Sequence, residues 1–393
     1  MTARPSVLQL ALYFLKLGAT GFGGPLALAN YMRRDLVETH HWLSEDEYEE
    51  GLAIATACPG PLAYQLAVYC GLITNGMRGA LAVAVAFALP PFLIVLCVAV
   101  VYERFSSDWQ LRALLYGIAP VIVAIILRAS WNLATKTLKQ SSLAWLVAIL
   151  ACGATIIVKR ELAAIFIIAG VAGIFLFAPA REKRVPAAST DVGLRSDVVA
   201  GLMTLWFGIR INLPGQLFLF FFKSGLLVFG SGLVIVSFLK VYVVDQYHWL
   251  NNQAFLDSVA IGMVSPGPVV ISATFVGYVV AGFAGALAAT IGIFMPSILF
   301  TIAGMPLLRR YRHNPRVGGF VRGITVAVVG ALAGTTYIVA RTAIGDTMTV
   351  VIALVAFAIP LAYKKVPDQL LVGAGALVGL IAYPLLKPAW MFH

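Results

Sequence analysis

The stretch Cys58-Pro59-Gly60-Pro61 interrupts a strongly apolar segment, and Ser265-Pro266-Gly267-Pro268 interrupts a second segment in the same way. Proline lacks the amide proton that a helix needs and clashes with the preceding turn, so neither segment can be one continuous helix. Within a bilayer the freed backbone groups are costly unless a polar partner uses them. Because the interruption is made twice, the sequence predicts a binding site at these breaks.

The composition is typical of a polytopic helical membrane protein. Of the 393 residues, 61% are hydrophobic and 11% are charged, and the apolar runs are long enough to cross a hydrocarbon core about 30 Å thick. The net charge of +11 comes mainly from Lys and Arg in the short loops, as the positive-inside rule expects, so nucleic-acid binding is not predicted. The start, MTARPSVLQL, lacks the features of a signal peptide, and we expect no processing.

The sequence carries no pattern typical of an enzyme. The motifs HExxH and GxSxG, the Walker lysine loop and His/Cys metal spacings are absent from it, so neither a catalytic set nor a cofactor is predicted. The four cysteines lie in apolar segments without CxxC spacing. Such cysteines are expected to be buried free thiols, not disulfides or metal ligands.

The chain is a duplication. FLKLGATGFGG (14–24) aligns with FFKSGLLVFGS (221–231) at an offset of 207, and the same offset joins the two PGP triplets and the His-Trp-Leu triplets that precede them. After one gap, GMRGAL (76–81) matches GFAGAL (282–287). Ordered matches over this span predict two homologous repeats. The predicted units are a first repeat at 1–180, a polar connector with an interfacial helix at 181–216, and a second repeat at 217–393.

The charge distribution predicts that the second repeat is inverted. The connector and the loop 308–322 are rich in Arg and Lys, which places both in the cytoplasm. Three apolar runs separate these two loops. If all three crossed the membrane, the loops would lie on opposite sides, so one run must enter and leave on the same side. This gives about five crossings in each half, with Lys136 inside and the loop 341–346 outside. The re-entrant run is either the glycine-rich first run of each half or the run with PGP, and the sequence leaves both open.

Two lysines occupy matching places in the first run of each half, Lys16 and Lys223. An ammonium group near the bilayer centre costs about 2.5–3.5 kcal/mol on insertion scales, so it normally faces a polar cavity or a partner. The alternative is a lysine that snorkels to the interface. A pair of cations brought together by an inverted repeat would suit an anion.

The breaks themselves suit an anion as well. The glycine-rich runs allow close backbone approach, which fits either an anion nest or helix packing. The second proline of each PGP can open a helix whose N-terminal amides hold an oxyanion, and a simple proline kink is the alternative. The predicted binding residues are Lys16, Lys223, Gly23, Gly24, Gly230, Ser231, Pro59, Gly60, Pro61, Gln65, Ser265, Pro266, Gly267, Pro268 and Ser272, with Tyr64 and Thr274 as further polar lining.

Four titratable residues at matched places are candidates for proton coupling. Glu50 and Asp257 lie at the polar end of the PGP runs, where partial burial would favour the protonated form of a carboxyl group; a solvated loop acid is the alternative. His41 and His248 each precede a tryptophan, which indicates either anchoring at the membrane interface or a proton relay. Arg128 lies either mid-span or at a helix end.

These residues together resemble the chromate ion transporter family. The resemblance rests on the Lys-x-Gly…Phe-Gly-Gly run at 16–24, the His-Trp-Leu triplet and PGP, all repeated in the second half, and it covers nearly the whole chain apart from the connector. It implies chromate efflux and chromate resistance at the inner membrane of bacteria, with sulfate as the look-alike anion. The family also includes single halves that work in pairs of opposite orientation. Two departures between the copies, Gly232 in place of Pro25 and Ser265 in place of Cys58, imply unequal contributions.

The expected protein is therefore an all-α polytopic secondary transporter with two inverted repeats, broken or re-entrant at PGP. One oxyanion, chromate or a sulfate-like ion, would lie between the two PGP-initiated helix ends, with Lys16 and Lys223 neutralising it. Protons or the membrane potential would drive export, and a homodimer is compatible with this scheme. The alternatives are sulfate or another oxyanion as the cargo, a channel, and a structural membrane protein without cargo.

Overall fold

The computed structural model describes residues 4–22, 24–105, 108–138, 141–158, 162–177, 212–230, 232, 234–303, 314–363 and 366–386. Five helical stretches of this part of the chain are long and apolar enough to cross a membrane. The first half contains α1 (Val7–Thr20), α2 (Gly24–Met32) with a π-helix (Arg33–Thr39), α3 (Glu45–Ala57), β1 (Gly60–Pro61), α4 (Leu62–Phe105), α5 (Trp109–Thr137), α6 (Ser142–Val158) and α7 (Leu162–Leu176).

The second half repeats the order of the helices, but its strand lies at the glycine run and not at PGP. It contains α8 (Leu213–Leu227), β2 (Phe229–Gly230), α9 (Val234–Phe238) with a π-helix (Leu239–Gln246), α10 (Asn252–Val264), a 3-10 turn (Val269–Ile271), α11 (Ser272–Ile302), α12 (Pro315–Ala343), α13 (Thr347–Ala362) and α14 (Asp368–Leu386). Helix α8 begins inside the predicted connector, because Asn212 caps it and a proline occupies its first turn. The predicted interfacial helix around Trp206 and Arg210 lies outside the described residues.

The first run of each half folds back on itself at its glycines. After α1 the chain returns as α2 and its π-helix, so the Tyr13 hydroxyl donates to Asp35 Oδ2 at 3.3 Å. At the matching positions of the second half, the rings of Phe220 and Tyr242 are 6.0 Å apart. We call these two units, 7–39 and 213–246, the glycine hairpins.

The His-Trp-Leu triplet ends each glycine hairpin with the same turn. His41 and His248 both have φ of 52°, a left-handed conformation that is uncommon outside glycine and asparagine. The amide of the following tryptophan donates to Leu36 O or to Val243 O, in both cases at 2.8 Å. Both histidine side chains are exposed. The repeated triplet therefore has a structural role in the backbone.

The PGP run of each half also folds back, with PGP at the bend. Residues 62–74 of α4 return beside α3, so the Tyr69 hydroxyl donates to Glu50 Oε2 at 3.2 Å. In the second half Gly262 of α10 packs against Ser272 at the start of α11. We call these units, 45–74 and 252–280, the PGP hairpins. Both runs that the charge pattern left open are thus hairpins, and four further apolar helices remain in the described part of each half.

A second sharp turn follows each PGP hairpin and lies inside α4 and α11. Gly76 has φ 61° and ψ −151°, and Gly282 has φ 61° and ψ −154°, a region open essentially to glycine alone. The helices on either side of the first turn pack antiparallel, because the Tyr64 hydroxyl donates to Ala84 O at 3.0 Å. The segments after the turns, 77–105 and 283–302, are called the long arms.

The two central helices, α5 and α12, cross as antiparallel partners. The Ser130 and Thr336 hydroxyls, which occupy matching positions of the two repeats, are 3.4 Å apart. Nearer the start of α5, the Tyr116 hydroxyl donates to the Asp346 carboxylate just beyond α12. The two matching helices therefore run antiparallel and meet at matching residues.

The two halves interlock through glycines. Gly173 of α7 packs against Gly323 of α12, and at the equivalent contact Gly379 of α14 packs against Gly117 of α5. At each of these positions a side chain would collide with the backbone of the partner helix. Small residues let membrane helices approach closely, so each half packs its last helices on the central helix of the other half.

Candidate functional site

The bends of the four hairpins meet, and each half binds the other there. The Gly60 N–H donates to Val228 O at 2.5 Å, and the Gly267 N–H donates to Gly21 O at 2.9 Å. The two bonds are equivalent at the offset of 207. Each PGP flanks its glycine with residues that have no amide proton, so the glycine is the donor of the bend. The bond from Gly60 to Val228 also lies at the start of the short parallel pairing of β1 with β2.

The surroundings of the two PGP glycines differ. Gly60 has φ 133° and Gly267 has φ 88°, so both positions favour glycine. A side chain at Gly60 would collide with Ser297 Oγ and Gln65 Nε2, whereas at Gly267 the nearest atoms belong to Pro91. Ser297 and Pro91 occupy matching positions of the two long arms. The glycine of the first bend is therefore surrounded by polar atoms and that of the second by a proline ring; unequal contributions of the two copies to a binding site stay a prediction.

Buried polar atoms without partners lie in the PGP hairpins and on the second long arm beside the first bend. Within the described residues, Gln65 Oε1, Ser272 Oγ and Ser297 Oγ form no hydrogen bond, and the three side chains are at most 1% exposed. The amide nitrogen of Gln65 donates to Pro59 O. An unpaired buried polar group costs about 1–3 kcal/mol, so polar atoms of this kind indicate a place for a polar ligand. Ser297 was missed from the sequence, although it directly follows Pro296, which matches Pro90 between the repeats.

Lys16 lines a cavity of about 430 Å³ inside the first glycine hairpin. The cavity reaches Gly21, whose carbonyl oxygen accepts the bond from Gly267. Arg34 also lines it but pairs with Asp35 at 2.9 Å, whereas Lys16 forms no ion pair among the described residues. A cavity with an uncompensated ammonium group next to a hairpin bend is suited to an anion.

The second lysine is placed differently. Lys223 is half-buried at the matching place on α8 and does not line the Lys16 cavity. Lys223 lies in the second glycine hairpin, and the central helix of that half, α12, runs antiparallel to α5 of the first half. The expectation that both ammonium groups face one ligand remains a prediction.

The remaining predicted binding residues lie at the same bends. Gly24 begins α2 with φ 80°, Pro61 pairs with Gly230 in the two strands, and Ser265 ends α10, with Pro266 and Pro268 buried after it. Gly23 and Ser231 lie outside the described residues. Tyr64 and Thr274 are engaged within their own halves, the latter with the Thr290 hydroxyl at 2.7 Å.

The two matched acids have different surroundings. Asp257 is 1% exposed and accepts hydrogen bonds from the Tyr102 hydroxyl at 2.7 Å and from Gln253 Nε2 at 3.0 Å. Glu50 is half-buried and accepts its bond from Tyr69. Arg128, whose place the sequence left open, pairs with Asp368 at the start of α14.

Comparison with known proteins identifies the family. The family model described as chromate transporter matches residues 8–174 and 215–380, which correspond to the two halves. The chain belongs to the chromate transporter family. Membership means a transport protein and not an enzyme, and it agrees with the apolar helices in indicating a multi-pass membrane protein.

Full-length relatives support this assignment. The chain is 41% identical to a chromate transport protein of Cupriavidus metallidurans over 96% of this chain and 94% of the relative. It is 39% identical to a probable chromate transport protein of Synechococcus elongatus, over 96% and 95% of the two chains. A chromate transport protein of Pseudomonas aeruginosa is 29% identical over 96% and 92%. No solved structure matches the chain.

Proposed function

We propose that this protein is a secondary transporter that exports chromate across the bacterial inner membrane. The observation that carries the proposal is that each PGP bend binds the opposite half: Gly60 does so beside the unpaired atoms of Gln65 and Ser297, and Gly267 does so at Gly21, which lines the Lys16 cavity. Broken helices that point their ends at a central site are the usual way for a transporter to hold an ion. The full-length relatives are named as a chromate transport protein and a probable chromate transport protein, which supports chromate as the cargo.

The proposed topology is inverted. The antiparallel crossing of α5 and α12 at Ser130 and Thr336 supports it. That crossing brings Lys136, at the end of α5, to the same end of the molecule as Arg316 and Arg322 at the start of α12. The positive-inside rule assigns this end to the cytoplasm. The end with Tyr116 and Asp346 is then outside.

The Lys16 cavity belongs to the proposed cytoplasmic end. The start of α1 lies beside the start of the first long arm, because Asn75 Nδ2 donates to Pro5 O at 3.0 Å, and that arm leads to α5 at its far end. A chromate dianion would enter this cavity and pass the contact between Gly21 and Gly267 when the halves move. An inside-negative potential favours its exit by about 2.3 kcal/mol per charge per 100 mV.

The proposal is tested by chromate uptake into inside-out vesicles. Lys16→Ala is expected to lower the initial rate about tenfold or more, because the loss of a charge contact of at least about 1.4 kcal/mol is tenfold in affinity. Lys136→Ala is the matched control, since Lys136 is an exposed lysine in the last turn of α5. It should transport like the wild type.

Three outcomes would count against parts of the proposal. Equal uptake by Lys16→Ala, at equal protein level, would remove the lysine from the mechanism. Uptake that does not saturate would indicate a channel. Stronger competition by sulfate, molybdate or phosphate than by unlabelled chromate would identify another oxyanion as the cargo.

A further inference from the structure

A second cavity, of about 650 Å³, lies between the two halves at the end of the molecule opposite the Lys16 cavity. It is at the opposite end because Tyr102 is near the end of the long arm whose start adjoins Pro5. The charged and titratable side chains that face it come from both halves: Tyr102, Arg112, Tyr116, Asp257, Asp346 and Tyr383.

One of these groups, Asp257, is almost completely buried and joins the two halves. Its side chain is 1% exposed, and its Oδ2 accepts from Tyr102 of the first half at 2.7 Å. Its Oδ1 accepts from Gln253 of its own helix at 3.0 Å. A buried carboxylate is stable only while hydrogen bonds replace the water that it lost.

The neighbouring charged groups have other roles. Asp346 caps α13, because its Oδ1 accepts from the Thr349 N–H at 2.9 Å, and both of its carboxylate oxygens lie within hydrogen-bond distance of the Tyr116 hydroxyl, at 2.8 and 2.7 Å. In the second glycine hairpin, Lys240 pairs with Asp245 at 2.6 Å and also donates to Asn252, the first residue of α10, at 2.9 Å. Arg112 forms no ion pair among the residues that the structure describes. Asp257 is therefore the buried carboxyl of this cavity that neither caps a helix nor pairs with a cation.

We propose that Asp257 is the proton-binding site that couples chromate export to proton entry, an inference that rests on the proposed transport function. In its ionised form Asp257 accepts from Tyr102 and from Gln253. When a proton from the outer cavity binds, the carboxylate loses its charge and one of its oxygens becomes a donor, so its hydrogen bonds are no longer charge-assisted and are weaker. The bond with Tyr102 is the one that joins the halves, and its weakening frees them to move. The proton is released to the cytoplasm in the opposite conformation.

Helix α10 connects this site to the substrate site. It carries Asp257 near its middle and ends at Val264, directly before Ser265, so Asp257 and Ser265 are separated by about 12 Å along the helix axis. The next residues, Pro266 and Gly267, form the bend that binds Gly21 at the Lys16 cavity. A helix this short moves as one body, so a change at Tyr102 and Asp257 displaces the bend that closes the substrate path.

The test uses purified protein in liposomes with a trapped pH-sensitive dye, at a pH where chromate is the dianion. For the wild type, a chromate gradient should move protons in the opposite direction. Asp257→Asn should lower this proton flux about tenfold or more while chromate-for-chromate exchange stays within about twofold, since exchange needs no change in protonation. Glu50→Gln, the matched carboxyl of the first half, is the control and should keep the proton flux.

The outcomes separate this inference from the proposed function. If the wild type exchanges no chromate, the proposed function fails. If the wild type transports chromate and Asp257→Asn retains its proton flux, the coupling site is wrong while the transporter stands. Equal loss of flux in Glu50→Gln would also overturn the assignment to Asp257.

A second variant covers the case in which Asp257→Asn does not fold. Tyr102→Phe removes a hydrogen-bond donor that stabilises the ionised carboxylate and leaves the ring in place. The midpoint of the pH dependence of proton flux should therefore move to higher pH, because the ionised form of Asp257 has lost support. An unchanged midpoint in folded Tyr102→Phe would overturn the proposal.

Discussion

Single residues at matched positions make the two bends unequal. Ser297 and Pro91 both follow the proline at the matching place of their long arms, Pro296 or Pro90, yet Ser297 places a hydroxyl at the first PGP bend and Pro91 places ring carbons at the second. Gln65 and Ser272 are a second matched pair of different size, and both retain an unpaired oxygen. The first bend therefore presents more polar atoms to an oxyanion than the second.

Ser297→Ala is expected to weaken transport without weakening the fold. The Ser297 hydroxyl forms no hydrogen bond in the described part of the protein, so its removal deletes an unsatisfied buried group and costs no native contact. The chromate concentration for half-maximal uptake should rise about tenfold, since one hydrogen bond to a charged ligand is worth about 1.5–3 kcal/mol. Thermal unfolding in detergent should be unchanged or slightly higher.

The matched control is Thr335→Ala. Thr335 is also a fully buried hydroxyl without a partner among the described residues, but it lies on α12, whereas Ser297 lies on the second long arm beside the Gly60 bend. It should leave uptake unchanged. Equal effects of the two substitutions on uptake would show that Ser297 acts through packing and not through the ligand.

At the scale of elements, the fold depends on turns that only glycine can make. Gly76 and Gly282 reverse the chain between each PGP hairpin and its long arm with nearly identical backbone angles. No atom lies within 4 Å of a side chain built at either position. The requirement for glycine there is purely conformational, whereas at Gly18 and Gly225 it is steric, because the backbones of Phe87 and Ile293 lie against them.

Gly76→Ala should lower the unfolding free energy by about 1–3 kcal/mol, the usual cost of a side chain in this backbone region. Gly373→Ala is the control, because Gly373 lies inside helix α14 and also has no neighbour within 4 Å. There alanine should be neutral or stabilising by up to about 1 kcal/mol. The comparison is made by thermal unfolding in detergent. Equal effects at the two sites would contradict the conformational explanation.

At the scale of the whole molecule, the two halves are interlocked. Each packs its last two helices on the central helix of the other, through contacts such as Gly173 on Gly323 and Gly117 on Gly379. The same exchange is repeated at the bends, where each PGP binds the glycine hairpin of the other half. Movement at one hairpin is therefore transmitted to both halves.

The inverted arrangement can be tested at Lys136 and Thr342, matching positions at the ends of α5 and α12 that are both exposed. In a background without cysteine, Lys136→Cys should react with a membrane-impermeant thiol reagent from the cytoplasmic side only. Thr342→Cys should react from the outside only, because the equivalent helices run antiparallel. Reaction of both from the same side would show that the repeats are parallel.

The sequence by itself determined the class of the protein and its duplication. Hydrophobic runs, the offset that joins the copies and the paired PGP breaks are local patterns, and each has a direct physical reading in a bilayer. Those patterns also located Gln65, Gly60 and Ser272 at the bends. They did not find Ser297, because a single serine in an apolar run has no local signal.

Tertiary structure decided which residues meet. Both candidate runs are hairpins because the glycine bend of one half satisfies the amide of PGP in the other, a contact between Gly60 and Val228 that lies far beyond any local pattern. The two acids look alike in the repeat, yet only Asp257 is enclosed and bonded to Tyr102 of the opposite half. Duplication copies the type of residue at a position but not its surroundings. The surroundings depend on where the two halves pack together.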